Sequence, residues 1–111
     1  MKAQFESDAS RMEDAARTQV FTSLKQLEES KHVLRLFEER LLPVARDQID
    51  AARAGFVSSR SSFMAVIDAE RNLRKVELDY QMARAECDRR RAELDRALGR
   101  IPGLTGKDDL R

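Results

Sequence analysis

The chain has no tryptophan, one cysteine, two prolines and four glycines in 111 residues. Each scarcity removes a class of protein. A single cysteine, Cys87, permits no internal disulfide and says little about the redox compartment. Aromatic residues make up only 5% of the chain, so a large compact core is not expected. Few glycines and prolines leave little to break a helix. No apolar run approaches the ~18–20 residues of a transmembrane helix. No signal peptide is visible, since Met1 and Lys2 lead into polar residues rather than an apolar segment. The chain therefore reads either as cytoplasmic or as a piece of a longer secreted protein. Neither sign of charge dominates. Twenty-one basic and twenty acidic residues are interleaved along the chain. Such mixing builds no sustained field for nucleic acid or an anionic membrane. Arg89, Arg90 and Arg91 form the most basic run, but Glu93 and Asp95 follow at once, as on a solvated helix face.

Chemistry is equally sparse. There is no HExxH, CxxC, GxGxxG, P-loop or nucleophile elbow, so no enzyme is expected. His32 and Cys87 each stand alone, which excludes the usual clustered metal sites, and no cofactor is implied. Asp68 and Glu70 are too close in sequence to face one another on a helix as an acid/base pair. Met12, Met64 and Met82 read as core or interface fillers.

What remains is helix-forming sequence, with 37% charged and 41% hydrophobic residues. The first helix is expected over about residues 5–54. Val20, Leu24, Leu27, Leu34, Leu41, Ala45 and Ala52 lie on an alternating 4,3 spacing, interrupted by Lys31, Glu38 and Gln48. Upstream, Phe5, Ala9, Met12 and Ala16 continue the stripe with a drift, against a strict two-stranded coil over the whole length. Pro43 either divides this segment, starts a new first turn or bends one continuous helix; resumption of the pattern at Ala45 favours the bend.

A tip is expected at residues 55–62. Gly55 suits a left-handed helix end, and Ser58, Ser59, Ser61 and Ser62 can bond backbone amides and cap the next helix. The second helix is expected over about 62–98, with Val66, Ala69, Leu73, Val76, Tyr80, Ala83, Cys87, Arg90, Leu94 and Ala97 on an unbroken 3,4 spacing. Glu70 with Arg74 and Glu86 with Arg90 are candidate i,i+4 pairs. Gly99, Pro102 and Gly103 stop this helix, and residues 99–111 read as a tail. Two such helices joined by a short turn form an all-α antiparallel hairpin, with arms about 75 Å and 55 Å long at 1.5 Å per residue. Val33, Phe37, Val44, Phe63, Ile67, Leu78 and Met82 lie off these seams. They suggest a second contact face, and hence self-association of an isolated hairpin into a dimeric four-helix bundle.

The residues Ala54-Gly55-Phe56, a polar turn, Phe63 to Ala69, Leu73, Glu77-Leu78, Tyr80, Ala83, Leu94 and Ala97-Leu98-Gly99, with Leu41-Leu42-Pro43 upstream, resemble the TolC-like outer-membrane factors. The likeness covers about residues 30–99. It implies the second periplasmic helical hairpin of a trimeric channel in a Gram-negative bacterium, with no direct membrane insertion of this segment. A membrane-fusion adaptor would meet the tip, here Gly55, Phe56, Ser58, Ser59, Arg60 and Ser61. Asp68 matches an acidic position at the pore entrance. Three departures stand out. Phe56 replaces the usual tyrosine, Ser59 the usual turn glycine, and Ala65 a second acidic position. A cytoplasmic coiled-coil scaffold and the α-hairpin of an adaptor itself are the competing readings. The latter needs flanking β segments, of which residues 99–103 show none.

Overall fold

The computed structural model describes residues 2–101, with side chains placed from Glu6 onward. The Phe5 side chain, Pro102, Gly103 and the tail beyond lie outside the described residues. The protein is an all-α helical hairpin. Helix α1 spans Lys2–Leu36, a π-helical turn spans Phe37–Leu41, α2 spans Leu42–Val57 and α3 spans Phe63–Gly99. Two compact units can be described separately. One comprises residues 1–30 with 87–111, and the other residues 31–86.

In the first unit the start of α1 pairs with the end of α3. Ser23, Leu27 and Ser30 are buried on α1, and Cys87 and Ala97 on α3, with Ile101 just beyond it. The two serines occupy seam positions assigned to no side chain by the apolar pattern, whereas Leu24 is exposed. A buried hydroxyl requires a partner. Ser30 finds one locally, donating to the Leu27 carbonyl at 2.7 Å. Arg90, the one charged residue on the α3 seam, is half-buried and donates to Gln26 Oε1 at 3.2 Å and Glu93 Oε2 at 3.1 Å. Arg100 donates to Gln19 Oε1 at 3.0 Å. Of the drifting upstream stripe, Ala9 and Met12 are exposed and Ala16 is half-buried.

The second unit contains the main departure from the expected pattern. From α1 into the π turn the buried seam runs 20, 23, 27, 30, 34 and 37 in steps of three and four, with Gln26 and Lys31 half-buried beside it. The next buried residue is Leu42, then Ala45 and Ile49. The step from Phe37 to Leu42 is one residue too long for an α-helix to keep both on one face. The π turn absorbs this extra residue. Leu42 donates its backbone N–H to the Phe37 carbonyl five residues back. Leu42 is thus 6% exposed, and Leu41, expected on the seam, is 39% exposed. Pro43 follows as the second residue of α2, where its missing N–H and its ring are accommodated by the widened turn. Leu36, Leu41 and Leu42 all keep right-handed helical dihedrals, so the backbone continues through the proline without a break.

Across the hairpin Tyr80 meets this turn. Its ring lies 6.3 Å from that of Phe37, and its hydroxyl donates to Glu38 Oε2 at 2.9 Å. Phe37 is therefore part of the seam, not of a second face. The Arg84 guanidinium sits 5.9 Å from the Tyr80 ring centroid. The bond to Glu38 raises the tyrosine pKa above its ordinary 10.0; desolvation and the Glu38 charge add to this, and Arg84 opposes it. A raised folded-state pKa means that this contribution to stability is present below pH ~10 and lost as pH climbs through the folded value. Tyr80 is the only tyrosine and there is no tryptophan, so absorbance at long ultraviolet wavelength titrates this one group. We expect its midpoint above 10 in the folded protein and a lower midpoint in Glu38→Gln. Equal midpoints would mean that the bond does not persist in solution.

On α3, Val66 and Cys87 are buried, and Ala69, Leu73, Val76, Tyr80 and Ala83 between them are half-buried on the expected 3,4 spacing. Glu70 pairs across the hairpin with Arg53 at 3.5 Å rather than along the helix with Arg74. Asn72 donates to Gln48 Oε1 at 3.1 Å. Val33, Val44, Phe63, Leu78 and Met82 are exposed, and Ile67 is half-buried.

Candidate functional site

The tip is a helix end, a five-residue link and a helix start, held by local bonds. Helix α2 runs three residues beyond the expected Ala54, to Val57. Ser58 follows, and Ser59 takes the left-handed conformation at φ 63°. Arg60 N–H donates to the Gly55 carbonyl at 2.7 Å, and Ser59 N–H donates to the Phe56 carbonyl at 3.1 Å. This is the paired 6→1 and 5→2 bonding of a Schellman helix end. Ser61 N–H at 3.0 Å and Ser58 Oγ at 3.2 Å also donate to the Gly55 carbonyl. At the other side Ser62 caps α3, its Oγ accepting from Ala65 N–H at 3.2 Å.

The expected role of Gly55 is corrected by this geometry. Gly55 lies inside α2, and the left-handed residue is Ser59. What Gly55 supplies is space. A Cβ there would overlap Ser61 Oγ and stand 2.9 Å from Ser61 Cβ. An L-residue in the left-handed region costs roughly 1–2 kcal/mol. Ser59→Gly is therefore expected to stabilise the hairpin by ~1 kcal/mol, read as a shift in urea midpoint at constant slope.

The outer surface of this turn is apolar. Phe56, Val57, Phe63 and Met64 are all exposed, Val57 at 85%. The Phe56 and Phe63 rings lie 5.7 Å apart at 59°, joining the two helix ends. Phe56 carries no hydroxyl, so this contact holds the ends together without a hydrogen bond. Met64 fits the expected interface filler, whereas Val57 has no role in the sequence pattern; the signal is two apolar residues on each side of a polar turn. Arg60 Nε donates to Ser58 Oγ at 3.1 Å. Asp68 lies one turn further along α3 than Met64 and is exposed, away from the tip turn itself. His32 is exposed and Cys87 is buried on the seam. Among the described residues no group of three or more His, Cys, Asp or Glu side chains could hold a metal, and no helix is long and apolar enough to cross a membrane.

The tip is thus a hydrogen-bonded turn between apolar helix ends, with one arginine. It suits docking into another protein surface, since the ordering entropy of its backbone is already spent in folding. Comparison with known proteins finds no matching family model, no matching curated protein and no matching solved structure.

Proposed function

We propose that this chain is a docking hairpin of a TolC-like outer-membrane export channel, located in the periplasm of a Gram-negative bacterium, whose tip engages a membrane-fusion adaptor. The observation that carries the reading is the set of exposed apolar side chains Phe56, Val57, Phe63 and Met64 flanking a hydrogen-bonded turn. The order of motif residues around that turn supports the same family. In a trimer of such hairpins, three copies of Asp68 would form an acidic ring that favours cations. The hairpin does no chemistry of its own in this reading; it couples a channel to a pump.

The test displays the chain on a trimeric carrier, so that weak tips act together, and measures binding to a panel of purified adaptor α-hairpins. The control carries Phe56→Asp with Ser59→Trp. Binding that falls at least about tenfold in the control supports tip docking. Equal binding by both places recognition on the helix flanks and favours a coiled-coil scaffold. Without a carrier, the exposed Val33, Val44, Leu78 and Met82 lead us to expect a dimer in sedimentation analysis, and a monomer for Leu78→Glu with Met82→Glu.

A further inference from the structure

Charge on this chain is mixed almost everywhere, yet the tip is an exception. From Ala51 to Ile67 there is no carboxylate, and the charged residues are Arg53 and Arg60. Arg53 is matched by Glu70 across the hairpin. Arg60 has no acidic partner among the described residues. It is nonetheless held in place. Its Nε donates to Ser58 Oγ, which in turn donates to the Gly55 carbonyl, the acceptor at the heart of the turn. Its own backbone N–H donates to the same carbonyl. An arginine anchored through Nε keeps both terminal nitrogens available as a planar fork, the geometry that fits a carboxylate. Three residues to either side of Arg60 in the chain, Val57 and Phe63 are exposed apolar side chains.

Resting on the docking reading, we propose that the tip recognises a protein surface by one carboxylate: the partner presents an Asp or Glu to Arg60 at the edge of an apolar notch that receives Val57 and Phe63. Charge complementarity selects this occupant. Val57 and Phe63 would bind any apolar notch, whereas the fork rejects one whose rim is basic, because an unmatched guanidinium would be desolvated against like charge. The Ser58 relay is a positioning element for the fork, not a contact with the partner.

The probe is the adaptor α-hairpin that binds most tightly in the panel. Arg60→Gln is expected to weaken binding about tenfold, and Arg60→Lys to recover only part of the loss, because charge returns without the fork. An Asp→Asn or Glu→Gln change at the partner's tip should produce a similar loss in the wild type and almost none in Arg60→Gln. Helicity of each variant, read by circular dichroism, should be unchanged, since Arg60 lies outside both helices. Binding indifferent to Arg60→Gln overturns the carboxylate assignment while leaving tip docking intact. Full recovery by Arg60→Lys overturns the fork. Absence of binding to every adaptor hairpin overturns both readings. Stronger Arg60-dependent binding to phosphatidylglycerol vesicles than to any hairpin assigns the arginine to a lipid headgroup and overturns the protein partner.

Discussion

A variant that lacks Leu41 and carries Pro43→Ala should melt roughly 10 °C above the parent, although it has lost a leucine from a helix. The expectation follows from the step between Phe37 and Leu42. The buried series runs to Phe37 in threes and fours, jumps five to Leu42, and resumes in threes and fours through Ala45 and Ile49. Removing one residue from the π turn makes that step four, so a plain α-helix carries every seam residue on one face. In the plain α-helix left by the deletion a proline ring would cost ~3 kcal/mol, so Pro43→Ala accompanies it and restores a backbone donor. Leu41, 39% exposed, lies off the buried seam. Deletion of Arg71 from α3 is the companion experiment. That helix has no π turn to absorb a phase change, and one missing residue rotates half of its seam by about 100°. The Arg71 deletion should lose most of its helical circular dichroism signal at room temperature. If the Leu41 deletion with Pro43→Ala loses it as well, the five-residue step is not a one-residue insertion.

The difference between the two arms also explains what could be read from the residues alone. On α3 every seam position from Val66 to Ala97 is visible in the spacing, because no residue interrupts the heptad. On α1 the positions 20, 27 and 34, and on α2 position 45, are equally visible. The intervening ones are not. Ser23 and Ser30 are buried where hydropathy favours the neighbouring Leu24, because a small residue allows close helix approach and Ser30 satisfies its own hydroxyl on the Leu27 carbonyl. Leu41 looks like a seam residue because it lies seven after Leu34. Only the π turn, set jointly by Pro43 and the apolar pair Phe37 and Leu42, moves it outward. Glu38 and Gln48 are exposed and leave the seam, whereas Lys31, upstream of the insertion, is half-buried beside Ser30. The hairpin and the place of its tip were legible; the conformation of the tip was not. Glycine is the usual left-handed residue, yet Gly55 is needed for close approach to Ser61, and the unfavourable conformation passes to Ser59.

The sharpest energetic consequence of this face assignment lies at two adjacent residues of α2. Ala45 is 1% exposed and Val44 is 52% exposed. Aspartate ranks close to valine in helix propensity and up to ~0.7 kcal/mol below alanine, so propensity separates the two variants by less than 1 kcal/mol. Val44→Asp should therefore stay within about 1 kcal/mol of the parent. Ala45→Asp places a short carboxylate against the facing helix, too short to reach water. An unpaired buried charge costs about 3–5 kcal/mol. That is much of the stability a two-helix arrangement of this size can hold, and Ala45→Asp should be largely unfolded at 37 °C by circular dichroism. Arg90 shows why the seam is not closed to every charge. Its long side chain is half-buried on the same kind of position, but it reaches Gln26 and Glu93, and its apolar stem packs along the way. Aspartate at position 45 has neither the reach nor a donor. Similar melting of Val44→Asp and Ala45→Asp would place Ala45 outside the seam and remove the basis for the π-turn register.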